Sequence, residues 1–155
     1  MKLFILRHGE AEFSLTSDFD RELTSQGRTQ VTAITLEAAQ ELRQVEHIYV
    51  SPLVRAQQTA VLVKSQIGDR PTSTVSWLTP DTATPSAISE LAEIPCDQAN
   101  AVLLVSHLPF VADFVDGLCG NPIGTSRFAT ASMALLETDI IAAGCADVIW
   151  MKHVQ

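Results

Sequence analysis

Arg7, His8, Arg55 and His107 are the side chains whose types and placement in this sequence could carry chemistry together. Two guanidiniums can hold a tetrahedral phosphoryl group by its equatorial oxygens, in the bidentate geometry that arginine favours. A neutral imidazole nitrogen can attack phosphorus in line and form a phosphohistidine that water later hydrolyses. The guanidiniums supply the positive charge, so the site asks for neither a metal nor a cofactor. Gly9 follows His8 and lets the backbone fold close enough for a carbonyl to hold one ring N–H, leaving the other nitrogen as nucleophile. His107 precedes Leu108 and Pro109 at an expected helix start, a position suited to donating a hydrogen bond to a phosphoryl oxygen. Spacing forces neither role, because each histidine taken singly reads as a satisfied structural residue and Arg-His-Gly occurs by chance in many chains. The combination carries the reading. A metal site at His8, His107 and Glu10 is the weaker alternative, since the ligand spacing is absent and adjacent arginine repels cations.

What must position these residues is a parallel sheet. The apolar run Leu3 to Leu6 stops at Arg7-His8, and a second run, Ala101 to Val105, stops at Ser106-His107. Short apolar runs of this kind are buried strands, and ligand sites lie beyond their carboxyl ends. His47 to Val50 reads as another strand, ending at Ser51-Pro52, and a helix from about Leu53 to Gln66 puts Arg55 in its first turn. Thr24 reads as the N-cap of one long helix with Val31, Ile34, Ala38, Leu42 and Val45 on its buried face. Gly27 in that helix implies either tolerated strain or close packing against neighbouring backbone. Ser73 to Trp77 reads as a strand, Thr84-Pro85 opens a short helix through Ile94, and Phe110 to Leu118 reads as a helix with Asp113 and Asp116 on its polar side. Strands near Ser132 to Glu137 and Asp147 to Met151 complete a three-layer α/β sandwich with a central, mostly parallel sheet, in one domain over residues 1–155. Trp77 and Trp150 read as core aromatics, and His47 and His153 as surface or satisfied residues.

The totals narrow the function classes. A chain of 155 residues, 46% hydrophobic and 18% charged, has the size of one ordinary domain and no long disordered tract. Its formal net charge of -8 argues against a general nucleic-acid or anionic-membrane surface, so an anion site must be local. Cys96, Cys119 and Cys145 are widely spaced with no C-x-x-C and read as small buried hydrophobes. No apolar stretch approaches transmembrane length, and the start lacks a secretory h-region, so a cytoplasmic location is expected.

The strings Leu6-Arg7-His8-Gly9-Glu10 and Ser51-Pro52-Leu53-Val54-Arg55-Ala56-Gln57-Gln58-Thr59, followed later by Ser106-His107, resemble the three signatures of the histidine phosphatase superfamily. The brevity of the chain, Arg21-Glu22-Leu23-Thr24-Ser25-Gln26-Gly27 and Ser106-His107-Leu108-Pro109 are similar to its SixA branch of phosphohistidine phosphatases. The likeness runs in register from Met1 to about Phe114. It implies a phosphoglycerate-mutase-like fold with a minimal cap, His8 as the phosphorylated nucleophile, and Arg7, Arg55 and His107 completing the phosphate pocket. Arg21 matches a further basic position that would contact phosphate or substrate, the alternative being a surface pair with Asp18 or Asp20. Ser51 and Ser106 read as residues that shape backbone at strand ends, and Gln58 and Thr59 as helix packing. The implied substrate is a phosphohistidine-bearing signalling or phosphotransfer protein, such as a histidine-containing phosphotransfer domain or a phosphocarrier, with no nucleic-acid or membrane partner.

Ester-cleaving members of the superfamily carry a carboxylic acid that protonates the leaving alkoxide. Here the corresponding region is Leu78-Thr79-Pro80-Asp81, where Asp81 is the nearest candidate acid and reads also as a solvated turn residue. Glu10 is the other carboxylate near His8, able to orient a group or cap the loop. An imidazole departs as a neutral ring when its far nitrogen is protonated, so a P–N bond needs less acid help than an ester. Gly68 to Asn100 is also too short for a large helical cap, which suits a phosphate presented on another protein. The expected function is removal of phosphate from phosphohistidine through a phosphorylated His8. The alternatives are a small-molecule phosphomonoesterase using Asp81, and a phosphoprotein-binding module without turnover, which would have no need of a nucleophile.

Overall fold

The structure is a computed structural model that describes residues 1–13, 16–95 and 100–154. The run Leu3 to Leu6 forms the heart of β1 (Lys2–Arg7), with all four side chains fully buried. Successive side chains of a strand point to opposite faces. Phe4 and Leu6 therefore join one core with Val31, Ile34 and Val63, while Leu3 and Ile5 join another with Phe110, Phe114 and Leu118. A strand apolar on both faces needs a helical layer on each. Helices α1 (Ser25–Glu37), α2 (Ala39–Leu42) and α3 (Val54–Ile67) supply the first, and α4 (Thr84–Ala92) and α5 (Phe110–Cys119) the second.

The remaining strands are β2 (His47–Val50), β3 (Thr72–Thr74), β4 (Ala101–Ser106), β5 (Met133–Thr138) and β6 (Ala146–Lys152), in the sheet order β3-β2-β4-β1-β5-β6. β3, β2, β4 and β1 are parallel; β5 runs against β1, and β6 runs against β5. The result is the expected three-layer sandwich around a mostly parallel sheet, with β5 as the reversed strand. Between β3 and β4 the described residues form a 3-10 turn at Ser76–Leu78 and the nine-residue α4, which together are smaller than a large helical cap.

Local departures from expectation have identifiable causes. Thr24 caps α1 as expected, its hydroxyl accepting the Gly27 N–H at 2.9 Å. The expected long helix is instead divided at Ala38 (φ -101°, ψ 11°), although Val31, Ile34, Ala38, Leu42 and Val45 are all buried. An apolar stripe at helical spacing is satisfied by two helical pieces as well as by one. The strand expected to reach Trp77 ends at Thr74, because the 3-10 turn carries Leu78 into the core and sets Trp77, half-buried, beside Tyr49. Trp150 is likewise half-buried, edge-on to Phe4 at 6.2 Å between ring centroids.

Asp116 is fully buried rather than on the polar side of α5. Its Oδ2 accepts the N–H groups of Gly124 and Thr125 and its Oδ1 that of Ser126, which offsets the cost of burying a carboxylate. The cysteines also correct the reading: Cys145 is exposed in the turn before β6 and Cys119 is half-buried at the end of α5. Cys96 lies outside the described residues. Gly27 is where it is for close packing. A Cβ there would stand 2.0 Å from the Glu10 carbonyl oxygen, and one on Gly9 would stand 2.5 Å from the Gly27 carbonyl oxygen. The loop leaving β1 thus lies directly on the first turn of α1.

Candidate active site

Register sets the centre of the site. In the parallel β1–β4 pair Arg7 lies opposite Ser106, so His8 and His107 leave adjacent strands at the same level, with ring centroids 5.0 Å apart. The His8 backbone is held from both sides. Its N–H donates to the Ser106 carbonyl at 3.0 Å and its carbonyl accepts the Ala131 N–H at 2.9 Å. Ala131 adopts the left-handed region (φ 58°), which costs a side-chain-bearing residue about 1–2 kcal/mol and marks a backbone constrained by its surroundings.

The His8 ring contacts the Gly9 carbonyl through Nδ1 at 2.6 Å, so Nδ1 carries the proton and Nε2 keeps its lone pair. The Arg55 Nε–H, 3.2 Å away, donates to that Nε2. Arg55 comes from the first turn of α3, whose start is fixed by the Val54 N–H on the Phe19 carbonyl (3.1 Å) and the Leu53 N–H on Ser51 Oγ (3.3 Å). Arg7, at the end of β1, donates from Nη1 to the Phe128 carbonyl at 2.9 Å. Ser51 Oγ also lies 2.6 Å from His107 Nε2. With His107 protonated on Nδ1, the Ser51 hydroxyl donates to Nε2 while accepting from Leu53, the tautomer in which the buried Ser51 hydrogen is not left unpaired. Among the described residues, Arg7 Nε and His107 Nδ1 are buried with no hydrogen-bond partner.

A loop closes one side. Asp18 accepts Arg55 twice, through its carbonyl on Nη1 at 2.7 Å and Oδ2 on Nη2 at 3.2 Å, while its Oδ1 takes Arg21 Nη1 at 3.0 Å. Arg21 further donates from Nε to the Glu12 carbonyl at 2.7 Å, so it stands at the rim in the surface pair with Asp18. Beside Asp18 opens a cleft of about 350 Å³ lined by Asp18, Phe19, Leu53, Thr79, Pro80 and Asp81. Asp81 is exposed and accepts the Thr79 hydroxyl at 2.9 Å. Glu10 contributes backbone: its N–H donates to Gln30 and its carbonyl accepts the Thr24 N–H. His47 bonds Ser73 at 2.8 Å, away from this centre, and His153 bonds the hydroxyl of Ser132, whose carbonyl accepts the Arg7 N–H at 3.1 Å. Among the described residues no three His, Cys, Asp or Glu side chains are grouped to hold a metal ion.

Burial is the main force on both central histidines. It lowers His8 to about 4, against the pull of the Gly9 carbonyl and with help from Arg55, Arg7 and Arg21. His107 falls to about 3 through burial, then through His8 and Arg55. Burial also lowers both Arg7 and Arg55, which remain charged. The Arg21 hydrogen bond, with further help from Arg55, holds the Asp18 carboxyl below the usual range. The unfolded chain takes up protons on these histidines near 6.5, while the folded chain does so near 4 and 3. Their contribution to stability is complete above about pH 6.5 and is lost as the pH falls from there towards 4, at up to about 1.4 kcal/mol per pH unit for each histidine. Denaturant titrations at fixed salt check this, and a flat free energy between about pH 6.5 and 5 would contradict it.

Several functional contacts were not legible from the sequence. Ser51 shapes the backbone before α3 as expected and also meets His107 Nε2; that second contact follows once β2 and β4 are known to be neighbours, which the strand runs alone do not say. Thr59 takes the Gly9 N–H at 3.4 Å and donates to the Arg55 carbonyl at 2.8 Å, and Gln58 holds the Leu23 N–H at 2.8 Å, so both do more than pack α3. The surface pair of Arg21 with Asp18 is one of the two readings the sequence offers; the second cation on Asp18, Arg55, has no signal there.

A sheet covered on both faces, delivering two histidines and two arginines to one point beyond its strand ends, defines a phosphoglycerate-mutase-like α/β protein. Comparison with known proteins agrees. The family model described as histidine phosphatase superfamily (branch 1) matches residues 3–78. The "Phosphohistidine phosphatase SixA homolog" of Haemophilus influenzae is 34% identical over 98% of this chain and 100% of its own length. The "Phosphohistidine phosphatase SixA" of Escherichia coli K12 is 30% identical over 90% of this chain and 86% of its own. A solved structure of the protein histidine phosphatase SixA complexed with tungstate superposes with a TM-score of 0.89 at 27% identity, covering 99% of this chain and 97% of that one. The chain belongs to the histidine phosphatase superfamily.

Proposed function

We propose that this chain is a phosphohistidine phosphatase, transferring the phosphoryl group of a histidine-phosphorylated signalling or phosphotransfer protein to His8 Nε2 and then to water. The substrate protein is a histidine-containing phosphotransfer domain or a related phosphocarrier. The observation that carries the reading is the His8 ring itself: Nδ1–H is committed to Gly9, and the Nε2 lone pair faces the Arg55 guanidinium. With a pKa near 4 that lone pair is available throughout the neutral range. Arg55 and Arg7 bind the phosphoryl oxygens, Arg7 through the Nε that lacks a protein partner, and His107 donates from its unpartnered Nδ1. Arg21 stands at the rim, where it meets the incoming protein and holds Asp18. The names of the relatives at 34% and 30% identity support the same substrate class.

The test is phosphate release from a histidine-phosphorylated phosphotransfer domain, with and without chelator, combined with acid and alkaline quenching. The expected result is chelator-resistant release through a phosphoenzyme that is labile in acid and stable in base. Unaltered phosphohistidine after long incubation, with a protein that does hydrolyse an alkyl phosphate, would replace this reading by the phosphomonoesterase one.

A further inference from the structure

The cleft beside Asp18 has a composition suited to one kind of leaving group. Its walls combine the apolar surfaces of Phe19, Leu53 and Pro80 with two carboxylates, Asp18 and Asp81. Its link to the reacting centre runs through Arg55, which does not itself line it: Asp18 Oδ2 lies 3.2 Å from Arg55 Nη2, and Arg55 Nε lies 3.2 Å from His8 Nε2. The Asp18 carboxylate is already divided between Arg55 and Arg21. Asp81, steadied by the Thr79 hydroxyl, is the carboxylate left to face a ligand. A flat ring with a charged N–H fits these walls; an alkyl group with hydroxyls does not use them.

We propose that this cleft is the leaving-group subsite and that Asp81 determines its specificity, accepting a hydrogen bond from the far N–H of the substrate's phosphorylated imidazole and so keeping that ring protonated. The inference rests on the phosphohistidine reading above. The His8 Nε2 lone pair forms a bond to phosphorus, and the substrate's P–N bond breaks with its electron pair going to the ring nitrogen. Because the far nitrogen already holds a proton, the ring departs as neutral imidazole. Water then forms a P–O bond, the Nε2–P bond breaks with its pair returning to Nε2, and dihydrogen phosphate leaves with both water protons. Asp81 neither gains nor loses a proton in either step. The substrate ring bound at Asp81 mirrors His8 bound at the Gly9 carbonyl, so the first transfer exchanges one imidazole for another. An alkoxide leaving group has no such route and gains nothing from an ionised carboxylate.

This division of labour makes the substrate's own protonation the limit on turnover at high pH. The charged or titratable groups around the ring are Asp81 on the turn after the 3-10 segment, Asp18 on the loop with Arg21 behind it, Arg55 on α3, Arg7 at the end of β1, and His8 and His107 at the strand ends. Asp81 raises the ionisation pH of the bound ring by charge and hydrogen bonding. It stabilises the protonated complex without lowering the barrier from it, so its effect must grow with pH. The test is the pH profile of kcat for phosphoimidazole and for the phosphorylated domain with wild type, Asp81→Asn and Asp81→Glu. In Asp81→Asn the descending limb moves down by about one pH unit, with a loss of about tenfold at pH near 8 and little near 5, and Asp81→Glu restores most of it. With p-nitrophenyl phosphate, whose leaving group needs no proton, any change is one constant factor across the pH range. If wild type turns over phosphoimidazole and the Asp81→Asn profile superimposes on it after scaling, the inference fails while the phosphatase reading stands. A selective loss on an alkyl phosphate would make Asp81 a proton donor and overturn it too. Failure of wild type on both P–N substrates would remove the phosphatase reading itself.

Discussion

Replacing His8 by alanine is expected to lower phosphate release from a histidine-phosphorylated protein by on the order of 10⁴-fold or more and to abolish the phosphoenzyme. The size of the effect follows from what is lost: in the proposed reaction Nε2 is the bond-forming atom, and among the described residues no second unprotonated nitrogen is bonded to Arg55. His107, 5.0 Å away between ring centroids, cannot replace it because Ser51 holds its Nε2. Anion binding behaves differently. Arg7, Arg55 and His107 remain, so the inhibition constant for inorganic phosphate or tungstate changes by less than about tenfold. That contrast separates loss of a nucleophile from loss of the pocket. The cavity left by the deleted ring also admits free imidazole, and added imidazole restores part of the turnover. A phosphoenzyme that persists in His8→Ala would place the nucleophile elsewhere.

The parts of the site that sequence could reveal share a physical origin. Arg7, His8 and His107 were legible because a fully buried strand must be apolar, so an abrupt stop at charged residues marks the strand's end, where ligand sites form. Arg55 followed from the same logic through β2 and the helix after it. What was hidden depends on which elements become neighbours. The Ser51–His107 contact requires β2 beside β4, and the reversed direction of β5, which brings Ala131 to the His8 carbonyl, has no local signal. Asp116 shows the converse error. Its helical position reads as polar, but three N–H groups from residues 124–126, in the loop that follows α5, turn back onto the carboxylate and make its burial tolerable. Gly9 and Gly27 were individually visible as glycines; only the contact of their two backbones explains why neither admits a side chain.

Arg55 has the second-largest expected effect, and a pair of substitutions separates its charge from its shape. Its guanidinium makes three directed bonds at once: Nε to His8 Nε2, Nη1 to the Asp18 carbonyl and Nη2 to Asp18 Oδ2. Lysine keeps the positive charge but concentrates it at one point and cannot reproduce a planar fork. Arg55→Lys is therefore expected to lose about 10²–10³ in kcat/KM, the range for removing a preorganised donor from a developing anion. Arg55→Met removes the charge as well and falls further. The two variants also differ in a readout unrelated to rate. Arg55 is one of the cations holding His8 near 4, so in the methionine variant the His8 pKa rises, and the ascending limb of kcat/KM moves to higher pH. In the lysine variant a cation remains and the limb shifts less. Asp18 moves in the same direction, because losing Arg55 leaves Arg21 as its remaining cation and its carboxyl titrates at higher pH. Near-normal activity in Arg55→Lys would mean that a point charge suffices, and the fork that ties His8 to the Asp18 loop would then serve the loop rather than the phosphoryl group.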